Sequence, residues 1–508
     1  MIARVSRTGA VLAAAFVGSL LTSTLARAQN ASAAPGARAR NVVFILTDDQ
    51  RYDAMHFHPN AQKWLKTPSL DRMAREGVHL ANAFVTTALC SPSRASVLTG
   101  QYTHRHGVVD NARDVPAGTR FFPQYLQKAG YRTAMIGKWH MGNDTDEPRP
   151  GFDHWVSFRG QGVYENPVLN VDGKRVERQG YTTDILTGYA LDWMKKEHTQ
   201  EPDRPFFLYL SHKAVHAEFI PAKRHAGMYR DVKIDYPETM RPDAPGNETW
   251  PDWVKRQRSS WHGVDYMYHG QFHFDEFYRR YFETLQAADE SIGQVLDYLT
   301  ESGLARNTLV LFMGDNGFSL GEHGLIDKRQ AFEESMRVPM LAWAPGLIKP
   351  GGTIQQMVMN IDIMPTVLDA AGVKAPADHK VDGQSFLPLL RGESVPWRSE
   401  VYYEYYWEWN FPQTPTQFAL RTDRYKYIHF YGLWDRDALF DLKTDPKEEY
   451  NLIARPEQQQ LATQLRGRLF ARMEETGGLQ IPLRAPVGPQ MNQTRPAGKP
   501  SSDPFAKP

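Results

Sequence analysis

A single cysteine sits in a run whose residue types could do chemistry: Cys90-Ser91-Pro92-Ser93-Arg94, continuing through Ala95-Ser96-Val97-Leu98-Thr99-Gly100. Pro92 suits a first helical turn, where its missing N–H costs nothing, and Gly100 suits a stop. Cys90 then falls at a helix N-terminus, where free N–H groups and the dipole draw anions and activate nucleophiles. Most lone cysteines are buried structural thiols; the polar neighbours Ser91, Ser93 and Arg94 argue against that here. Asp48-Asp49 and Asp315-Asn316 offer only oxygen, a donor set for Ca²⁺ or Mg²⁺ rather than zinc. An isolated Asp-Asp pair is more often a solvated loop or an N-cap, so its placement matters. Lys138 and His140, two residues apart, put a cation and an imidazole within reach of one pocket.

The elements that must position these groups are four apolar runs. Asn41–Leu46 ends in Thr47-Asp48-Asp49-Gln50, and 133–136 ends in Gly137-Lys138-Trp139-His140. Residues 206–210 lead into Ser211-His212-Lys213-Ala214-Val215-His216, and 308–312 into Gly314-Asp315-Asn316-Gly317. Uninterrupted apolar runs fit strands buried on both faces of a parallel sheet. Ligands of such sheets bind beyond the carboxyl ends of the strands, so the four polar clusters are expected to converge. Helical patterns lie between them, at 67–75, 122–129, 182–197 and 277–302. The fold class expected is α/β: a large mixed, mainly parallel sheet sandwiched by helices. After Gly392 come short aromatic strands, at 401–407, 418–421, 425–430 and 439–442, then a helix at 458–475. These read as a smaller antiparallel sheet with a packed helix. The expected organisation is a catalytic domain over 41–392, a C-terminal α+β subdomain over 393–481, and a disordered, Pro-rich tail over 482–508.

The 508 residues carry a formal charge of +1, which argues against nucleic acid as a partner. Residues 1–28 read as a secretory leader: Arg4 and Arg7, an apolar run over 11–21, and the cleavage pattern Ala26-Arg27-Ala28. A linker follows over 29–40. The apolar run is too short to span a bilayer comfortably and no other segment reaches that length, so no membrane contact is expected once the leader is removed. A periplasmic or secreted location follows. Export of a chain with one cysteine leaves that thiol without an internal partner.

Cys-x-Pro-x-Arg followed by Leu-Thr-Gly resembles the signature of the type I sulfatases, and the likeness runs from about Asn41 to about Leu452. The resemblance implies an alkaline-phosphatase-like fold and conversion of Cys90 to formylglycine by a maturation enzyme. It implies one calcium ion on Asp48, Asp49, Asp315, Asn316 and the oxygen of modified Cys90. It also implies that Arg94, Lys138 and Lys328 offset charge on a sulfate ester, that His216 protonates the leaving oxygen, and that His140 assists the second step. His212 is as readily packing support as contact. Gly107-Val108-Val109-Asp110-Asn111 and Ile326-Asp327-Lys328-Arg329-Gln330 look closest to the N-acetylglucosamine-6-sulfatases, although Leu89 stands where relatives often carry a second cysteine.

The expected substrate is therefore a sulfated carbohydrate, with 6-O-sulfate on N-acetylglucosamine first and another position such as uronic acid 2-O-sulfate second. A phosphonate or phosphate ester hydrolase, and a carbohydrate-binding protein without turnover, are the readings from other classes. The irregular stretch over 221–274 and the aromatic cluster Tyr402, Tyr403, Tyr405, Tyr406, Trp407 and Trp409 could stack on sugars. For the first, surface decoration stands equal; for the second, strand core is the commoner use.

Overall fold

The computed structural model describes residues 40–266 and 273–492. The leader over 1–28, the linker up to residue 39 and the tail beyond 492 lie outside the described residues.

The strands are β1 (Asn41–Thr47), β2 (Val78–Phe84), β3 (Arg132–Lys138), β4 (His154–Phe158), β5 (Val168–Val171), β6 (Lys174–Glu177), β7 (Phe206–Ser211) and β8 (Thr308–Gly314). They continue as β9 (Ser319–Leu320), β10 (Ile326–Asp327), β11 (Met340–Trp343), β12 (Gly352–Met359), β13 (Glu400–Tyr405), β14 (Thr416–Thr422), β15 (Tyr425–Tyr431) and β16 (Ala438–Asp441). Ten of them form the main sheet, in the order β12-β2-β11-β8-β1-β7-β3-β4-β5-β6. The four apolar runs are the adjacent central strands β8, β1, β7 and β3, all parallel. β11 and the β5–β6 edge run antiparallel to their neighbours, so the sheet is mixed, as expected.

β1 shows why an unbroken apolar run was needed. Side chains alternate faces along a strand: Val42, Phe44 and Leu46 enter one core, Val43 and Ile45 the other. Each fully buried aliphatic or aromatic side chain of this kind contributes about 1.5–3 kcal/mol. The second core is closed by helices Pro68–Glu76, Thr182–Gln200 and Phe274–Glu301, whose residues Met73, Leu186, Ile292 and Leu296 belong to it. The first core is closed by Cys90–Thr99, Ile363–Ala371 and the C-terminal region.

The C-terminal sheet β13-β14-β15-β16 is antiparallel throughout, with helix Gln459–Thr476 packed on it. Tyr402, Tyr403, Tyr405 and Tyr406 are buried in the same core as Leu98 and Phe84. These tyrosines are therefore packing rather than a sugar platform, while Trp407 and Trp409 are partly exposed. The tail expectation is corrected over 482–492. This segment has no regular secondary structure, yet it is held against the body by its peptide groups and by the Arg484 side chain. Arg484 donates to Gly107 O at 2.5 Å and Trp409 Nε1 to Gly488 O at 3.1 Å, and Met491 N donates to Asn410 O at 2.7 Å. Composition reports the missing apolar residues, whereas peptide groups need none to bond. No described helix is long and apolar enough to cross a membrane.

Candidate active site

The polar clusters meet because backbone pairing continues past the strand ends. Asp315 N donates to Thr47 O at 2.9 Å, His212 N to Leu46 O at 2.8 Å, and Asp48 N to Ala214 O at 2.8 Å. Val215 N returns to Asp48 O at 2.7 Å. The carboxyl ends of β8, β1 and β7 are thus laced into one surface.

Cys90 opens the helix Cys90–Thr99, two residues before the start that Pro92 suggested. Gly100 ends it in the left-handed region, at φ 65°, with its N–H on Ser96 O. Asn111 Oδ1 accepts from Ser91 N at 2.9 Å, satisfying one of the first-turn donors, and Ser91 Oγ donates to His140 O. The Cys90 thiol is fully buried and lies 3.4 Å from Asp48 Oδ1. Burial first, and then the Asp48 charge, push this thiol far above its usual range. An unmodified Cys90 is therefore a protonated, weak nucleophile.

Around it the oxygen donors converge. Ligand atoms of Asp48, Asp49 and Asp315 lie within 4.8 Å of one another. Asp49 is held at φ 60°, a conformation costly for a side-chain-bearing residue and common at functional sites. Its N–H donates to Asp315 Oδ1 at 3.0 Å, and Asn316 Nδ2 donates to Asp49 Oδ1 at 2.8 Å. Asn316 Oδ1 is buried without a hydrogen-bond partner. Burial raises Asp49 to about 7, with Asp48 and Asp315 adding to the effect and Lys328 opposing it. Three crowded carboxylates and an unpaired amide oxygen fit a hard divalent cation, which would relieve the repulsion and use the orphan acceptor.

The cations take distinct places. Lys328 Nζ contacts Asp49 Oδ1 and Oδ2 at 2.5 and 2.6 Å. Lys138 Nζ bridges Asp48 and Gln161. Arg94 is fully buried, and its guanidinium is spent on the protein. It reaches Asp315 Oδ2 at 2.9 Å, Lys138 O at 2.7 Å and Ser211 Oγ at 2.6 Å. Through these contacts Arg94 braces Asp315 and the end of β3 and keeps its charge beside the carboxylates.

The two histidines stand in the loops that follow different strands, His140 after β3 and His216 after β7. His216 Nδ1 donates to Ala217 O at 2.5 Å, a tautomer assigned from that contact, which leaves Nε2 3.7 Å from Asp49 Oδ2. Burial, then Lys138 and Lys328, hold His216 far below the usual imidazole range. His140, at φ 47°, has Nε2 3.3 Å from Asn143 Oδ1 and a buried Nδ1 without a partner. His212 lies behind the site, 3.0 Å from Ser291 Oγ on helix Phe274–Glu301. His323 is stacked on Phe332 at 4.1 Å and bonds Glu448 O; both are packing residues.

Gln161 and Ser211 were missed from the sequence. Gln161 has no flanking signal, whereas Ser211 is the last residue of an apolar run and could have been read. Beside Lys328, a further network was also missed: Arg329 joins Asp327 at 2.7 Å and Glu408 at 2.7 Å, and packs on the Phe411 ring at 4.1 Å.

The family described as Sulfatase matches residues 40–373, and that described as N-sulphoglucosamine sulphohydrolase, C-terminal, matches 321–475. The N-acetylglucosamine-6-O-sulfatase of Bacteroides thetaiotaomicron is 33% identical, over 82% of this chain and 83% of that protein. The N-acetylglucosamine-6-sulfatase of Homo sapiens is 32% identical, over 75% and 70%. A solved structure in complex with its substrate D-glucosamine-2-N,6-O-disulfate superposes with a TM-score of 0.79 at 30% identity, covering 88% of this chain and 100% of the other. The phosphonate monoester hydrolase of Agrobacterium radiobacter, with a TM-score of 0.69 at 21% identity, shares the fold.

Proposed function

The chain belongs to the sulfatase family of sulfuric ester hydrolases, and from that premise we propose that it removes 6-O-sulfate from N-acetylglucosamine residues of a glycan. The observation that carries the site is the Cys90 thiol held 3.4 Å from Asp48 in a ring of buried carboxylates and lysines. The sugar and the position rest on relatives named for that substrate over four-fifths of both chains, and on a neighbour holding a 6-O-sulfated glucosamine.

In this reading formylglycine at position 90 supplies a hydroxyl nucleophile, and calcium on Asp48, Asp49, Asp315 and Asn316 supplies positive charge beside it. Lys138 and Lys328 flank the same point and offset the charge of the sulfuryl oxygens in a site closed to water. Arg94 keeps Asp315 oriented. His216 presents Nε2 from the loop after β7 and donates a proton to the departing sugar oxygen. Burial first, and then Lys138 and Lys328, hold this imidazole below its usual range. His140, just past the end of β3, receives the proton of the second step. The leader over 1–28 delivers the chain outside the cytoplasm, where a periplasmic or secreted sulfatase meets glycans.

A turnover screen tests the reading. Desulfation of N-acetylglucosamine 6-sulfate should exceed that of a uronic acid 2-sulfate, and the reverse order would reject the substrate. Peptide mass spectrometry of protein matured in a host with the modifying enzyme should show position 90 without sulfur. Full activity with unmodified cysteine would reject the nucleophile.

A further inference from the structure

We propose a second saccharide subsite, remote from the sulfate centre, between helix Asp252–Gln257, the β13–β14 connection and the β15–β16 turn. It rests on the glycan reading above and extends it: the enzyme reads an unsulfated ring of the chain as well as the sulfated one.

The cavity there measures about 470 Å³ and is lined by Trp253, Gln257, Ser260, Gln413, Trp434 and Asp435, among others. Pockets for small organic ligands run from about 300 to 1,000 Å³. Trp434 is completely exposed at 107% of its reference area. An indole left wholly in water forgoes the burial that normally retains it, and a flat apolar face is what the C–H side of a pyranose stacks on. Three polar atoms along the wall have no hydrogen-bond partner: Trp253 Nε1, Gln257 Oε1 and Gln413 Oε1. A buried polar atom left unpaired is costly, so such atoms are normally satisfied by a partner. One donor and two acceptors match sugar hydroxyls, which both donate and accept. The amides are already aligned by their other ends, Gln257 Nε2 donating to Thr414 Oγ1 at 3.0 Å and Gln413 Nε2 to Met491 O at 3.0 Å. The lining carries two carboxylates, Asp252 and Asp435, against one cation, Arg256, and Asp252 is paired with Lys255 at 2.7 Å, so the cavity does not select an anion. That favours an unsulfated ring.

The cavity is coupled to the centre through two short paths. Phe411, in the β13–β14 connection between Trp407 and Gln413, covers Arg329 and lies 4.7 Å from the His262 ring. His262 Nε2 meets Asp327 Oδ2 at 2.9 Å, and it follows Gln257 and Ser260 in the chain. One loop and one segment thus form the cavity on one side and brace the Asp327-Lys328-Arg329 run on the other.

The test compares Trp434→Ala, at a position where no packing is lost, with wild-type enzyme on N-acetylglucosamine 6-sulfate and on a tetrasaccharide carrying the same sulfated residue. kcat/KM on the tetrasaccharide should fall roughly 3–10-fold, the size of a lost aromatic contact, with the monosaccharide unchanged. Equal losses on both, or none on either, would overturn the subsite. Titration calorimetry with unsulfated chito-, N-acetyllactosamine- and heparosan-type tetrasaccharides separates this proposal from the sulfate specificity, because it needs no turnover. Wild type should bind one of them and Gln257→Leu should bind it more weakly. Binding by neither protein, or equal binding by both, would overturn it even if desulfation stood.

Discussion

Single side chains decide whether the proposed cation can be held and where the proposed proton would come from. Asp315 does two things, placing an oxygen among those of Asp48 and Asp49 and pairing with the buried Arg94. Asn316 offers Oδ1 with no other partner. Asp315→Ala is therefore expected to lose bound calcium and activity together and to be destabilised by about 3–5 kcal/mol, because it leaves a buried guanidinium uncompensated. Asn316→Ala should lose calcium with a much smaller change in unfolding free energy. Elemental analysis and urea unfolding check both, and an Asp315→Ala protein retaining stoichiometric calcium would refute the site. His216→Ala should slow single-turnover cleavage of a sugar sulfate by about 10²–10⁴-fold. A nitrophenyl sulfate, whose leaving group needs no proton, should be slowed far less. Equal losses would assign His216 to sulfate binding.

At the scale of elements, the site depends on how closely β3 and β7 approach at their carboxyl ends. Gly137 stands between Ile136 and Lys138 at φ 122°, and a Cβ there would sit 1.8 Å from Ser211 O. Only glycine adopts that conformation and clearance together. Gly137→Ala must push β3 from β7 and carry with it Lys138, whose carbonyl both Arg94 and Ser211 use. We expect a loss of about 2–4 kcal/mol in chemical denaturation, with kcat reduced in whatever folded protein remains. Wild-type stability would show that the strand end tolerates a side chain.

Across the whole molecule, the C-terminal sheet is fastened to the catalytic core through a buried carboxylate. Glu404, on β13, accepts from the Tyr406 hydroxyl at 2.8 Å and meets His104 Nδ1 at 2.8 Å, just beyond the nucleophile helix. Burial would lower the His104 pKa, but its hydrogen bond and charge attraction to Glu404 win and raise it. Burial would raise Glu404, and His104 with Tyr406 lower it. A raised imidazole contributes fully below its unfolded value of 6.5 and loses that contribution as pH rises through the folded one. A lowered carboxyl contributes above its unfolded value of 4.5 and loses it as pH falls through the folded one. The stability gap between wild type and His104→Gln should thus be widest between 4.5 and 6.5 and narrow toward alkaline pH. A gap independent of pH would show that the contact is not ionic. The same fastening explains why the expected boundary at 392 separates no independent core: Tyr402 and Leu98 pack in one cluster.

The sequence by itself determined the four central strands, because a run such as Val42–Leu46 can be satisfied only where both faces are covered. It determined the oxygen-only donor set of Asp48, Asp49, Asp315 and Asn316 and a helix opening beside Cys90, since donor chemistry and helix punctuation are local properties; the full burial of that run is a tertiary fact. The tertiary structure alone decided what each charged group touches. Arg94 was legible as a site residue and is consumed by Asp315, Ser211 and a carbonyl, contacts that lie more than forty positions away. Gln161, which reaches Lys138, carries no local mark. Likewise, the segment over 482–492 is held by the Gly488 carbonyl and the Arg484 side chain, whose partners Trp409 and Gly107 lie far away in the chain, so its composition is silent about it. Local sequence fixes the periodicity and chemistry of an element; only the closing of long loops between elements fixes which groups become neighbours.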